Sequence, residues 1–381
     1  MGTADVAVIG GGVIGWSVAY HVLKLSPKLK VMVIDKQPSF AMGSTARAAG
    51  GVRAQFGTAV NVDLSVHSIS FFERFEIELG MDIGFRQVGY LFVTATREGA
   101  DYLGHVGELQ RSRGVPSRSF SVDEVRARVP FLNCDDLTGA AFSPTDGYLD
   151  PYAVCQGFEK AARKLGASAV YGTAAIGSES GSVSLDDGGR LEAGQIVLAA
   201  GHWSGELAHK FGIEVPITPQ KHQLALTEPV SGLPENLPMI VDLDTSFHFR
   251  AEGQGLLIGY DDPYTRQPNV NMPPSFDFGF LERLAPVALH RMPLAERLRF
   301  DYKRSWAGYY AETPDRHAVI GRCGDIVVAT GFGGHGIMHS PAAGLSVAEI
   351  LVKGETSTLD LFSLRPQRFA EQDLVREPMV I

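Results

Sequence analysis

The chain has 381 residues, with 34 Lys and Arg against 43 Asp and Glu and a formal charge of −9. That balance argues against nucleic acid or an anionic membrane surface as a partner. With 45% hydrophobic and 20% charged residues, the composition is that of a globular protein of two or three domains, not of a disordered chain. The three cysteines (Cys134, Cys155, Cys323) form no Cys-x-x-Cys pair. This argues against a disulfide framework and a metal site, and for a reducing, cytoplasmic setting.

The apolar run from Val6 to Leu23 is interrupted by Gly10, Gly11, Gly12 and Gly15, and Asp5 stands where a signal peptide would carry positive charge. Neither a signal peptide nor a membrane span is expected. Asp5–Ile9 reads as a buried strand, residues 13–25 as a helix, and Lys30–Ile34 as a second buried strand ending at Asp35. Together they make a βαβ unit. Residues 36–57 read as a loop. A helix is predicted from Val60 to Leu79, with Leu64, Phe72, Phe75 and Leu79 on one face and Gly80 as its stop. Gly84–Thr96 reads as strand.

Ser121 and Glu124 form a capping box, and Asp150 with Pro151 opens a helix that ends at Gly166. Residues 186–189 (Asp-Asp-Gly-Gly) predict a hairpin turn before a strand over 190–199. Short β-like runs fill 221–310. Near the end, Asp325–Thr330 is a buried strand, Gly331–Gly336 a glycine-rich loop, and a helix is predicted with Ser340 as N-cap and Pro341 in its first turn.

Gly10-Gly-Gly12-Val13-Ile14-Gly15 fits G-x-G-x-x-G between a strand and a helix. Asp35 lies where a carboxylate meets a ribose hydroxyl pair. In that reading Gly10 permits the tight turn, Gly12 lets amides approach a pyrophosphate, and Gly15 lets helix and strand pack closely. A glycine turn with no ligand is the plain alternative, and NAD would suit the same motif. Two segments favour FAD: Ile196–Gly201, a strand ending in small residues, and the second amide-rich helix start after Gly331. A reduced flavin carries negative charge near N1 and needs such a site.

These segments resemble the FAD-dependent amino-acid oxidases and dehydrogenases of the D-amino acid oxidase, glycine oxidase and sarcosine oxidase group. Within that group the chain is most similar to the β subunits of dye-linked L-proline dehydrogenase and sarcosine oxidase. Besides Gly10–Gly15, the resemblance is carried by residues 43–45 (Gly-Ser-Thr), 51–56 (Gly-Val-Arg-Ala-Gln-Phe), 87–92 (Gln-Val-Gly-Tyr-Leu-Phe) and 144–147 (Pro-Thr-Asp-Gly). It continues through 221–223 (Lys-His-Gln), 306–310 (Trp-Ala-Gly-Tyr-Tyr), 313–315 (Thr-Pro-Asp) and 331–336 (Gly-Phe-Gly-Gly-His-Gly).

The resemblance implies that Gly43, Ser44, Thr45 and Arg47 line the FAD pyrophosphate and flavin. It implies that Ala175 contacts the adenine and that Ala199, Ala200 and Gly201 pass beside the cofactor. Gly331, Gly333, Gly334, His335, Gly336, Ile337 and Met338 would sit at the flavin pyrimidine edge. Val13, Ile14, Lys36, Ala49, Gly50, Gly51, Trp203 and Gly308 complete the implied cofactor set. Arg47 replaces a His, and Gly308 a Cys, through which some relatives tether FAD, so the cofactor is expected to be non-covalent. Tyr310 replaces the carboxylate-binding Arg of glycine oxidases. Arg53 and Met338 match an Arg and a Lys of monomeric sarcosine oxidases, which leaves Arg53 as the carboxylate anchor. Leu257 matches their oxygen-activating Lys, which leans toward a dehydrogenase.

The expected fold is α/β: a Rossmann-like FAD-binding domain assembled from both ends of the chain (1–80, 147–220, 315–381), with an inserted α+β substrate domain on a mixed sheet (81–146, 221–314). The expected reaction is oxidation of the C–N bond of a small amino or imino acid (proline, sarcosine or glycine type) by hydride transfer to flavin N5. Oxygen, a dye or a partner subunit would be the electron acceptor. Arg53 suits a bidentate carboxylate, although a surface or FAD-contacting role fits it as well. His222 could deprotonate the amine or be structural. His248 and Arg250 share one face of a strand that points either into the pocket or, slightly favoured, to solvent; His248 joins Arg53, His222 and Met338 as a candidate catalytic residue. An FAD-holding platform in a hetero-oligomer is the alternative reading.

Overall fold

The computed structural model describes residues 2–179, 181–265 and 273–379. Residues 266–272, inside the predicted β-rich stretch, lie outside them. The chain folds around two eight-stranded sheets. In the first, Thr3–Ile9 pairs in parallel with Arg190–Leu198 on one side and Val31–Asp35 on the other. Ile326–Thr330 and Ser168–Tyr171 extend the parallel set outward. Both faces of this sheet are covered. Val6 and Val8 point into one apolar cluster with helices Val13–Leu25 and Gly336–Lys353, and Ala7 and Ile9 into another. Burial on both sides explains why its strands read as continuous apolar runs. The two helices touch at Ser17 and Gly344, where a Cβ on Gly344 would lie 2.1 Å from Ser17 Oγ. Ser17 Oγ donates to the Ser340 carbonyl at 2.7 Å.

Ile9 stands level with Leu198 and Ile34, and Leu198 with Val328. The strands thus end together, and the loops after Ile9, Leu198 and Thr330 leave from one edge. An open parallel sheet places its ligand site outside such an edge.

The second sheet runs in the order Trp306–Glu312, Thr218–Leu226, Gly255–Gly259, His248–Glu252, Met239–Asp242, Tyr90–Thr94, Gly139–Ser143, Arg118–Ser119. It is antiparallel except where Met239–Asp242 runs parallel to Tyr90–Thr94. One face packs Ile240, Phe249 and Ile258 against helix Gly279–Arg291 through Phe280 and Leu284. The other face turns Tyr90, Met239 and His248 toward the first sheet's loops. The sheets meet where Gly333 N–H donates to the Ala311 carbonyl at 3.0 Å, on the edge strand Trp306–Glu312. No helix among the described residues is long and apolar enough to cross a membrane.

Four predicted elements are corrected. The helix expected over 60–79 is two helices, Ala59–Phe72 and Phe75–Leu79. At the break Arg74 N–H donates to the Phe71 carbonyl, three residues back, and Phe75 meets Phe158 edge-on at 5.2 Å. The strand expected over 84–96 narrows to Tyr90–Thr94, because Gly84 and Gly89 adopt φ of +59° and +89°. The loop over 36–57 contains a 3₁₀ turn at Thr45–Arg47 and the short strand Gly51–Val52. The last long helix begins at Gly336, with His335 and not Ser340 as its N-cap. Ser340 Oγ instead donates to the Ile337 carbonyl at 2.9 Å. That carbonyl is the one Pro341, lacking an N–H, cannot reach. The capping box at Ser121, the Asp150 cap and the hairpin before Arg190 stand as predicted.

Candidate active site

One elongated cavity, about 1690 Å³ and partly open to solvent, runs along the strand ends of the first sheet and under the second.

At one end the backbone is shaped for close approach. Gly10 has φ +117°, and a Cβ there would lie 2.3 Å from the Ala199 carbonyl oxygen. Helix Val13–Leu25 starts at Gly12 with no side-chain cap, so its positive N-terminal end faces the cavity. Thr45 Oγ1 accepts the Val13 N–H at 3.1 Å. Asp35 accepts the N–H groups of Gly11 (2.6 Å) and Gln37 (2.8 Å). Burial pushes its carboxyl up, against the pull of those two bonds and of Lys36. Lys36 Nζ sits 3.8 Å over the Trp203 ring, and Trp203 packs on Gly43. The buried Trp203 Nε1 and His202 Nε2 have no hydrogen-bond partner in the structure.

At the other end stands Arg53, 1% exposed. Its Nη1 and Nη2 donate to the Gln55 and Met379 carbonyls, and the guanidinium lies 3.8 Å over the Phe56 ring. No carboxylate among the described residues pairs with it within 4 Å. Burial lowers its pKa, with Tyr90, Glu377 and Asp146 opposing, yet a guanidinium stays charged. Asp146, buried nearby, accepts the Ala54 N–H at 3.0 Å and is pushed up to about 7 by burial. Tyr90, Met239, His248, Tyr310, His335 and Met338 also line the cavity. A Cβ on Gly51 would lie 1.9 Å from the Tyr90 hydroxyl, so only glycine admits that phenol. His248 Nδ1 donates to the Ser246 carbonyl at 2.9 Å, which leaves Nε2 as the acceptor nitrogen. Burial lowers the pKa of His248 and holds it neutral. His335 Nε2 is buried without a partner.

Of the residues assigned from the sequence to the cofactor or to catalysis, all but Gly15 and His222 line the cavity; Arg250 and Leu257, also singled out, do not. Gly15 lies beneath it, closed against Gly10: a Cβ at Gly15 would stand 1.9 Å from the Gly10 carbonyl oxygen. His222 falls just outside the lining: it stands opposite Gly308 on the cavity face of the sheet, its ring stacked on Tyr310 with centroids 3.8 Å apart. His248 and Arg250 do not face solvent as expected. His248 lines the cavity, and Arg250 is 6% exposed, donating to the Ala49 carbonyl at 2.8 Å and paired with Glu252. The sequence reading passed over Tyr90 and Met239. Both fall in runs that are apolar on both faces, so periodicity gave no sign of which face meets the cavity.

Beside the loop at 331–336 lies Glu312, with Oε1 2.7 Å from where a Gly333 Cβ would stand. Burial raises its carboxyl to about 7, with Arg316 opposing and Asp261 adding. Its pKa in the folded chain thus exceeds the unfolded value. Its contribution to stability is complete below the unfolded pKa of 4.5, falls as pH rises, and is lost once pH passes 7. The cost reaches about 3 kcal/mol. Glu312→Gln is therefore expected to gain stability over the parent at pH 8 and little at pH 4.5, as read by urea melts at both pH values.

A family model described as DAO, FAD dependent oxidoreductase, matches residues 5–350. The chain is 30% identical to FAD-dependent oxidoreductase domain-containing protein 1 of Xenopus laevis, over 99% of this chain and 85% of that protein. It is 28% identical to the mitochondrial dimethylglycine dehydrogenase of Rattus norvegicus, over 97% of this chain and 45% of that protein. The crystal structure of L-proline dehydrogenase from P. horikoshii superposes with a TM-score of 0.89 at 30% identity, over 98% of this chain and 99% of that one.

Proposed function

We propose that this chain, which belongs to the DAO family of FAD-dependent oxidoreductases, oxidises the C–N bond of a small amino or imino acid held by its carboxylate on Arg53. The observation that carries the reading is a buried guanidinium, with no paired carboxylate among the described residues, in the lining of a cavity that also contains the glycine-rich turn at Gly10. A cation held out of water gains most from an anion that completes its hydrogen bonds. Relatives named for proline and dimethylglycine, a cyclic and an N-methylated amino acid, support the substrate class.

The cofactor fits the residues present. Glycines stand where a Cβ would collide, a helix start whose N-cap is glycine faces the cavity, and among the described residues the buried Trp203 and His335 nitrogens have no partner. Gly10, Gly12, Thr45 and Asp35 would hold the nucleotide half, and the loop at 331–336 the ring. Bound FAD supplies the acceptor for the two electrons of the substrate Cα–H bond. Arg53 orients the substrate, and Tyr90, Met239 and Tyr310 enclose it away from water. Neutral His248, at the cavity wall with Nε2 over Gly259, takes the proton that the ammonium group must lose. Leu257 stands buried in strand Gly255–Gly259 and offers no charge to activate oxygen, which favours another electron acceptor.

Arg47 and Gly308 occupy the positions of the family's covalent tethers, and the Gly308 Cβ position lies 3.2 Å from Arg47 Cβ. Neither side chain offers the His or Cys through which such relatives tether the flavin. Acid precipitation is expected to leave all flavin in the supernatant; yellow pellets would refute this. The reaction class is tested by anaerobic titration of the yellow protein with proline, sarcosine, glycine and both enantiomers of the common amino acids. Bleaching by one or more supports the reading, and a flavin that none of them reduces overturns it.

A further inference from the structure

The chain that holds Arg53 in place comes from more than three hundred residues away. The Met379 carbonyl accepts from Arg53 Nη2, and the Met379 side chain is buried beside Tyr90 and Met239. Two residues earlier, Glu377 is 0% exposed, and its carboxylate gathers five donors. These are Gly57 N–H (2.8 Å), Thr58 N–H (3.1 Å), Thr58 Oγ1 (2.6 Å), Asn61 Nδ2 (3.0 Å) and Met379 N–H (3.0 Å). Gly57 and Thr58 precede helix Ala59–Phe72, which has no side-chain N-cap of its own, so Glu377 supplies the negative charge its N-terminal end favours. Glu377 N–H donates to the Asp315 carbonyl at 3.0 Å, and the Asp315 carboxylate is locked to buried Arg368 at 2.7 Å. The segment is thus fixed from both sides. Its Met379 carbonyl and the Gln55 carbonyl take one donor from each terminal nitrogen of Arg53, which sets the direction of the remaining ones.

We infer that Glu377 is a positioning residue for substrate recognition: by clamping residues 377–379 to the start of helix Ala59–Phe72 it holds the Met379 carbonyl against Arg53 and aims the guanidinium at the substrate carboxylate. This rests on the reading that Arg53 binds that carboxylate. Glu377 itself touches neither substrate nor cofactor. Glutamine in its place keeps the volume but offers one acceptor oxygen to five donors and adds two of its own, so the clamp loosens while the core stays filled.

The test uses the FAD-loaded Glu377→Gln protein with the amino acid that bleaches the flavin and the amine lacking its carboxylate (L-proline with pyrrolidine, or sarcosine with dimethylamine). KM for the amino acid is expected to rise about tenfold with kcat changed less than threefold, while binding of the amine, followed by the flavin spectrum, is unchanged. In the Arg53→Ala background Glu377→Gln is expected to add nothing. Equal losses for acid and amine, or additive effects in the double variant, overturn the inference and make Glu377 merely structural. If Arg53→Ala alone leaves KM unchanged, the carboxylate reading fails first. If Glu377→Gln does not retain FAD, Asn61→Ala, which removes a single donor from the Glu377 carboxylate, is put through the same measurements and judged by the same outcomes.

Discussion

Purified Gly15→Ala protein is expected to be colourless. The added Cβ would stand 1.9 Å from the Gly10 carbonyl oxygen and 3.2 Å from Val8 Cγ1. The first obstacle is backbone, so no rotamer change relieves it; helix Val13–Leu25 must lift off strand Thr3–Ile9. Overpacking of this kind costs about 1–3 kcal/mol and at times more. The stability loss is the smaller consequence. Moving the helix start carries Gly12 and the Val13 N–H away from Thr45 Oγ1, and with them the positive end that faces the cavity. A shift of an ångström there is expected to weaken FAD binding at least a hundredfold, about 2.7 kcal/mol. Flavin absorbance per chain after desalting measures it. Gly104→Ala, in helix Arg97–Ser112 away from the cavity, is the control, since nothing lies within 4 Å of its Cβ. If Gly15→Ala retains flavin at the ratio of the parent and of Gly104→Ala, the packing account of the motif is wrong.

Much of this site is legible because its chemistry is local. A strand buried on both faces shows as an apolar run between glycines, and the turn at Gly10 needs φ near +117°, a conformation side chains seldom adopt. Caps such as Asp150 and Ser121 announce themselves within four residues. Interactions set by distant parts of the chain leave no such mark. Ser340 before Pro341 reads as a helix start, yet the helix begins earlier, at the end of a loop docked on the far sheet through Ala311, and Ser340 repairs the bond that Pro341 breaks. Arg250 alternates with Phe249 as a solvent-facing residue would, but its outward face is roofed by the Ala49 carbonyl and Tyr148. His222, a candidate reacting group in a strand beside the cavity, stacks on Tyr310 at the edge of the lining, a contact that strand periodicity does not reveal. Glu377 carries little local signal, because four of its five donors lie at residues 57–61. The family resemblance reached positions that periodicity could not, among them Met338 and Gly308, both in the cavity wall.

Arg53→Ala is expected to raise KM for the amino acid by two to three orders of magnitude and to lower kcat far less. Truncating one partner of a buried, hydrogen-bonded charge pair costs about 2–5 kcal/mol, because the other charge is left without its match. The carboxylate is remote from the bond that breaks, so its binding energy is felt almost equally in ground and transition states and falls on KM. Inside the protein the substitution has two opposed effects. It removes a guanidinium held out of water with no carboxylate among the described residues paired to it, which relieves a desolvation cost. It also strands the Gln55 and Met379 carbonyls, each losing a donor. These offset each other, so the melting temperature is expected to move little while substrate binding collapses. Arg53→Lys separates charge from geometry. An ammonium keeps the positive charge over Phe56 but cannot serve two carbonyls and a bidentate carboxylate together, so KM is expected to fall between parent and alanine variant. Unchanged KM in both variants would remove Arg53 from the site, and a lysine variant as poor as alanine would show that the fork, rather than the charge, does the recognising.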